Sequence, residues 1–349
     1  MENLNKDQNA SNPDEKLIHP NWTLTNLFGR TIYGLTVHDK PVLPNEPAFH
    51  LILNQTAELP PAPDEKDILY SSPYLSRQGS PISQYWRHEN DADAQLRLRY
   101  WISFTDQIEF LINQSGTQLQ ANYTSQTNKH DILPSLLGPV MAILLRVRGV
   151  TTLHAGVIAV EDSAVAFIGD KGAGKSSLLL SFAKKGVPIL CDDIAALDEV
   201  DGRFFIRPAY ARLRAWEDSI AALTDLHPEQ LEKVHSLDKK RWINLSSDPN
   251  ANQFRFQPKS LPLKAVFYLS PRQPDIPIAI QTLPPAERLF MLPRHAFVDR
   301  ILDKSMRARD FERMTRIAQS IPILQLNRPD DLSTLPDVCQ KIIQTTQSL

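Results

Sequence analysis

The sequence predicts an α/β protein: a mixed sheet with helices, preceded by a β-rich N-terminal region. Three observations predict it. Between residues 31 and 123, short segments of strand-forming composition recur, and Leu96-Arg97-Leu98-Arg99-Tyr100 alternates with period two. From residue 131 the apolar runs lengthen and take on mixed helical and strand character. The apolar run Ala164–Ile168 then leads into Gly169, Gly172 and Gly174, with a helical stretch behind them. The chain has only 12 glycines in 349 residues, so three within six positions mark a place where the backbone must do something unusual.

Composition removes several classes. With 42% hydrophobic and 22% charged residues the chain is neither disordered nor fibrous, and its length allows a sizeable core. The 38 basic and 40 acidic residues leave a net charge of −2. No bulk positive field draws in nucleic acid or acidic lipid, so neither nucleic acid nor membrane is expected as a partner. Two cysteines, Cys191 and Cys339, are too few for a disulfide framework or a cysteine-rich zinc site, which fits a reducing, cytoplasmic compartment. Met1–Lys16 is polar and mixed in charge, unlike a secretory leader. The apolar run Val140–Leu145 is far too short for a membrane span.

Residues 1–15 read as a disordered tail with almost nothing to bury. Residues 16–130 form the β-rich region. Strands are expected at Thr31–Val37, Phe49–Leu53, Gln95–Phe104, Gln107–Ile112 and Leu119–Tyr123, with a turn at Ser115-Gly116. The alternation puts Leu96, Leu98 and Tyr100 inward and Arg97 and Arg99 outward, a half-buried antiparallel strand. Pro60, Pro61, Pro63, Pro73 and Pro81 make Pro60–Pro81 a loop. Residues 131–349 form the second domain. It opens with a buried helix over 131–148, kinked at Pro139. Val157–Val160 and Ala164–Ile168 flank the turn-like Glu161-Asp162-Ser163 and read as a hairpin. Lys175–Lys185 is helical and ends at Gly186, and Val187–Cys191 is a strand. Further strands are expected at Phe204–Arg207, Trp242–Leu245 and Leu263–Leu269. Residues 307–319 put Phe311, Met314, Ile317 and Ala318 on one helical face. Pro322–Leu326 and Leu332–Gln347 supply a last strand and helix.

Gly169-Asp170-Lys171-Gly172-Ala173-Gly174-Lys175-Ser176 has the spacing G-x-x-x-x-G-K-[ST], followed by Ser177. Glycines at those positions let backbone N–H groups turn inward around phosphates, the lysine reaches the β- and γ-phosphates, and the serine hydroxyl holds Mg²⁺. The following helix aims its N-terminal dipole at the anion. The strand–loop–helix context points to a nucleotide ligand; the plainer alternative is a glycine turn with an incidental lysine. Asp192-Asp193 closes Val187–Cys191. If Ala164–Ile168, the helix and Val187–Cys191 make a parallel crossover, the loop and both aspartates share one rim, at the carboxyl ends of the strands. A carboxylate there can hold Mg²⁺ or take the proton of an attacking hydroxyl. The alternative is two solvated acids opening a turn. Hairpin partners around residues 161–163 sum to about 324, which puts His154 opposite Asp170. There it could touch the γ-phosphate or tune Asp193; a hydrogen-bonded histidine at a strand start is the plainer reading.

Residues 153–193, from Leu-His-Ala-Gly-Val-Ile-Ala-Val through the glycine loop to Ile-Leu-Cys-Asp-Asp, resemble the catalytic domain of the HPr serine kinase/phosphorylase family. Those proteins share a phosphoenolpyruvate-carboxykinase-like P-loop fold. The resemblance implies ATP and Mg²⁺ as cofactors, Asp193 as proton acceptor with Asp192 its acidic neighbour, His154 and Lys175 as further active-site members, and Ser176 and Asp192 toward the metal. It implies a serine acceptor on a peptide, protein or small molecule, and a homo-oligomer. Ser177 stands where the family usually has Glu, and its later Gly-rich segment with a Glu metal ligand has no counterpart after Asp193. Kinase chemistry is therefore implied, rather than dephosphorylation or HPr as the acceptor. The N-terminal 130 residues are similar to the β-rich extension of HPr-kinase-related proteins found beside peptide-modifying enzymes.

Other groups carry weaker readings. Lys239-Lys240-Arg241 precedes a strand and reads as a basic turn, and Arg212 and Arg214 flank Leu213 as a basic strand face. Cys191 reads as core, and Arg307, Arg309, Arg313 and Arg316 as a solvated helix face. Arg294-His295 carries no reading. The rival to a kinase is a nucleotide-binding regulatory module, or slow ATPase, in which occupancy sets a conformation and no acceptor exists.

Overall fold

Apolar side chains at alternate positions form the first sheet. Its strands are β1 (Thr31–Ile32), β2 (Leu35–His38), β3 (Ala48–Thr56), β4 (Ile68–Ser71), β5 (Ser83–His88), β6 (Gln95–Trp101), β7 (Gln107–Ile112) and β8 (Gln118–Thr124). The structure, a computed structural model, describes residues 27, 30–43, 45–61, 64–73, 81–88, 95–101, 107–236, 238–297 and 302–349. The expected tail over 1–15 lies outside these residues, as do 102–104 of the expected strand Gln95–Phe104. The strand order is β1-β2-β3-β8-β7-β6-β5-β4.

Three expectations for this region are corrected. Thr31–Val37 is a hairpin rather than one strand, because Tyr33 and Gly34 sit at φ 52° and 75° and reverse the chain. Pro60–Pro81 contains β4, paired antiparallel with β5, since none of its prolines falls within Ile68–Ser71. Arg99 does not face water. It is 3% exposed, pairs with the buried Glu109 at 3.1 Å and donates to the Pro60 carbonyl, so its charge is buried with a partner.

The buried helical stretch comprises α1 (Lys129–Ser135), a π turn at Leu136–Val140 and α2 (Met141–Val147). The break falls at Gly138 (φ −96°, ψ −114°), directly before Pro139, whose ring and missing N–H forbid a regular continuation. The side chains of Leu136, Leu137, Val140 and Met141 join the first sheet and the second into one apolar cluster.

The strands of the second sheet are β9 (Thr151–His154), β10 (Gly156–Val160), β11 (Ser163–Ile168), β12 (Ile189–Cys191), β13 (Ile194–Val200), β14 (Arg203–Ile206), β17 (Leu261–Leu269), β18 (Ala279–Thr282) and β19 (Ile323–Asn327). Their order is β12-β10-β11-β17-β14-β13-β9, with β19 on β17 and β18 on β19. A separate ribbon pairs β15 (Arg212–Trp216) with β16 (Lys240–Asn244). The helices are α3 (Lys175–Lys184), α4 (Glu217–Leu223), α5 (Pro285–Arg294), α6 (Lys304–Ser320) and α7 (Leu335–Gln347). Both faces of this sheet are buried. Val165 and Phe167 pack under α3 and α7, while Ala164, Ala166 and Ile168 face the cluster shared with the first sheet.

The expected crossover is also corrected. β11 and β12 are not neighbours, because the hairpin strand β10 takes that edge of β11 and pairs antiparallel with both. Two strands each antiparallel to β10 run the same way, so they still end at one rim. On α6, Phe311 is 63% exposed and Asp310 is buried instead. Asp310 ion-pairs with Arg146 and accepts from the Thr151 hydroxyl at 3.1 Å, and a buried arginine commands that position more strongly than one phenyl ring. The arginines of α6 are also engaged rather than simply solvated: Arg316 pairs with Glu199 at 2.6 Å and Arg313 donates to Gly149.

Candidate functional site

The loop Gly169–Gly174 links the end of β11 to the start of α3. Gly172 and Gly174 both sit at φ 85°, a backbone that side-chain-bearing residues avoid, and Gly174 caps α3. Lys175, 8% exposed, turns its ammonium back onto the loop and donates to Gly169 O at 2.6 Å. Burial lowers its pKa, opposed by Asp193, Asp192 and Asp170. Ser176 Oγ lies 3.5 Å from Asp192 Oδ1. Ser177 points to the other side of the helix, where its hydroxyl shares a 2.9 Å hydrogen bond with Ser219 of α4.

Asp192 and Asp193 follow β12 and meet the ribbon. Asp192 Oδ2 accepts from Arg214 N at 2.9 Å and from Arg214 Nε at 3.3 Å, and its Oδ1 turns toward Ser176. Asp193 Oδ2 lies 2.8 Å from Arg214 Nη2 and Oδ1 3.2 Å from His154 Nδ1. That nitrogen also lies 3.1 Å from the Asp193 carbonyl oxygen. Both neighbours are acceptors, so Nδ1 carries the proton and donates. Burial alone would raise the Asp193 pKa, but Arg214 and His154 hold the carboxyl well below the usual range. The same pairing, with Asp192 and Tyr210, raises Arg214 despite burial.

Two further elements close this corner. A Cβ built on Gly138 would come within 3.7 Å of Asp193 Oδ2, so the π turn forms one wall of the aspartate site. Tyr33 of the first sheet braces that turn by donating to Leu137 O at 3.1 Å. Within the ribbon, Trp242 of β16 lies under both Arg212 and Arg214 of β15.

The hairpin register sums to 323, as Gly156 facing Phe167 shows, within one of the expected value. It does not continue to His154. The chain leaves β10 at Ala155, and His154 pairs with Ile194 of β13. Its amide donates to His295 O at 2.8 Å. The ring nevertheless lines a cavity of about 350 Å³ together with Gly169–Lys171 and the segment Arg294–Phe297. Arg294 pairs with Asp170 at 3.0 Å across its mouth. Burial pulls the His295 pKa down to about 4, so it is neutral at pH 7.

The structure thus gathers His154, Lys175, Ser176, Asp192, Asp193 and the loop at one rim. It adds Arg214, Arg294 and His295, which sequence reasoning left aside. Arg214 had a signal: Arg-Leu-Arg alternation places a basic face somewhere, without saying opposite what. Arg241 of the basic triplet is committed to Glu217, and Lys240 lies over Trp216.

Among the described residues no group of three or more His, Cys, Asp or Glu side chains gathers as a metal cluster. A hydroxyl and one carboxylate oxygen, Ser176 Oγ and Asp192 Oδ1, are nonetheless the hard-oxygen donors that suit Mg²⁺ completed by phosphate and water. Among the described residues no helix is long and apolar enough to cross a membrane.

The described residues define a mixed α/β protein with a glycine loop between strand and helix and two aspartates on the same rim. No family model matches the chain, nor does any curated protein. Among solved structures it is similar to the Hpr(Ser) kinase/phosphatase from Coxiella burnetii, at 13% identity and a TM-score of 0.30, over 56% of this chain and 96% of that one.

Proposed function

We propose that this protein is an ATP-dependent, Mg²⁺-requiring kinase that transfers the γ-phosphoryl group to a serine hydroxyl on a peptide, protein or small molecule. The observation that carries the reading is Asp193, paired with Arg214 and His154, on the same rim as Lys175, Ser176 and Asp192. Phosphoryl transfer asks mainly for positioning and charge neutralisation, and this rim offers both. The loop amides and the Lys175 ammonium bind and orient the β- and γ-phosphates. Ser176 and Asp192 would hold Mg²⁺, which when bound neutralises phosphate charge. The acceptor hydroxyl attacks the γ-phosphorus as the bond to the β,γ-bridging oxygen breaks, and its proton passes to Asp193. Arg214 keeps Asp193 ionised at neutral pH, and the His154 Nδ1 proton fixes its orientation. The cavity beside His154 is of a size for an amino-acid-scale acceptor group. Serine as the acceptor follows the resemblance of residues 153–193 to HPr serine kinases.

The regulatory-module reading draws on one feature: Arg214 and His154 engage both oxygens of Asp193, which reduces its affinity for a proton. Incubation with γ-labelled ATP, Mg²⁺ and a panel of serine-containing peptides and free serine separates the two. A labelled phosphate ester is expected; tight ATP binding with no labelled acceptor would favour the module.

A further inference from the structure

A buried cation also meets the loop, outside the proposed phosphate contacts. Arg328 directly follows β19 and is 2% exposed. Its Nη2 donates to the Ala173 carbonyl inside the glycine loop, and a Cβ added to Gly174 would lie 3.0 Å from that same nitrogen. The guanidinium is therefore pressed against the back of the loop where α3 begins. Its Nη1 is buried without a hydrogen-bond partner. The acid two residues on, Asp330, is paired with Arg272 at 2.6 Å. Arg272 brings a further positive charge to the loop, with Nη2 3.4 Å from Gly172 O. Burial and Arg272, opposed by Asp330, pull the Arg328 pKa down to about 10, so it stays charged at pH 7.

A buried, incompletely paired charge is a liability to a fold unless something compensates it. A residue kept only to brace the loop would serve as well without the charge. We infer that Arg328 is a positioning residue for a polyphosphate: it turns the Ala173 carbonyl away from the loop's concave side and presents a buried positive charge behind it, which a polyphosphate in the loop compensates. This rests on the reading of Gly169–Ser176 as a phosphate site and goes beyond it. Lys175 answers the phosphates from within the site, whereas Arg328 answers them through the loop. Its contribution belongs to the phosphates and not to the nucleobase, so inorganic tripolyphosphate senses it as ATP does.

The test compares the full-length wild type with R328M, similar in length and uncharged, and R328K, which keeps the charge without the planar fork. Calorimetry gives the affinities for MgATP and for magnesium tripolyphosphate, and thermal melts without ligand give stability. R328M is expected to weaken both ligands by the same factor, about 10–100-fold on the scale of a charged hydrogen bond, while the unliganded melting temperature holds or rises. R328K is expected to recover most of the lost affinity. Wild-type affinity in R328M overturns the inference, as does equal loss in R328K and R328M, or an R328M that melts well below wild type or does not fold. A wild type that binds neither ligand instead removes the phosphate-site reading on which the inference stands.

Discussion

Replacing Asp193 by Asn keeps the size of the side chain and removes its charge and proton affinity. The chemical effect follows from the proposed role. A positioned base contributes about 10²–10⁴-fold, which at 1.36 kcal/mol per decade is about 3–5 kcal/mol of barrier. Binding of MgATP does not need a base and should stay near the wild-type value. Stability should change too, because Arg214 loses its carboxylate partner at 2.8 Å and keeps Asp192 as its remaining ion pair. The loss of a charge-assisted bond at a carboxylate 20% exposed is expected to lower stability by about 1–3 kcal/mol. The pH sense is set by the lowered Asp193 pKa. Its stabilisation is fully present above the unfolded value near ~4 and lost as pH falls through the folded one, so D193N lacks it at pH 7 and shows a flatter acid limb. Urea denaturation at pH 7 fixes the folded fraction, calorimetry the ATP affinity, and single-turnover transfer the rate. Transfer within about threefold of wild type, with ATP bound normally, would refute Asp193 as the base.

Four further substitutions test separate parts of the site. Lys175→Ala removes the ammonium that would meet the β- and γ-phosphates, and turnover measured at saturating ATP should fall by about 10²-fold or more. Asp192→Asn should raise the Mg²⁺ concentration needed for half-maximal activity while sparing the rate at saturating metal; an unchanged metal titration removes Asp192 from the metal's shell. Arg214→Gln takes away the cation that lowers Asp193, so the acidic limb of kcat/KM should move to higher pH, and a stationary limb would contradict the coupling. His295 is neutral in the fold with a pKa of about 4 against 6.5 unfolded, so its stabilisation is present above pH 6.5 and lost as pH falls toward 4. Between pH 7 and 4.5 the loss is about 2 kcal/mol, and His295→Gln should remove that share of the acid sensitivity in urea midpoints over the same range.

Where one short stretch of chain decides the geometry, the sequence was legible. The loop, the helix after it and the hairpin before it depend on local apolar runs, glycines and turn residues, and the hairpin register fell within one of its expected sum. Asp192 and Asp193 reached the loop's rim even though β10 intervenes, because strand direction survives insertion of one antiparallel neighbour. What failed was decided at long range. Arg214 reaches Asp193 only because the β15–β16 ribbon lies across the rim, and no periodicity within Arg212–Trp216 says so. His154 left the hairpin because β13 and the backbone of His295 offered its strand other partners. Phe311 lost its core place to Asp310 through a pairing with Arg146, 164 positions earlier in the chain. The Tyr33-Gly34 turn hid inside a strand-like composition, since tyrosine at positive φ is rare.

A crystal structure with Mg²⁺ and a non-hydrolysable ATP analogue tests the central claim most directly. The β- and γ-phosphates are expected against the amides of residues 171–176. Lys175 Nζ should be moved from Gly169 O to a phosphate oxygen, the metal should be bound by Ser176, and an Asp193 oxygen should face the γ-phosphorus from the acceptor side. A nucleotide bound elsewhere on the protein, with Lys175 still donating to Gly169, would contradict it.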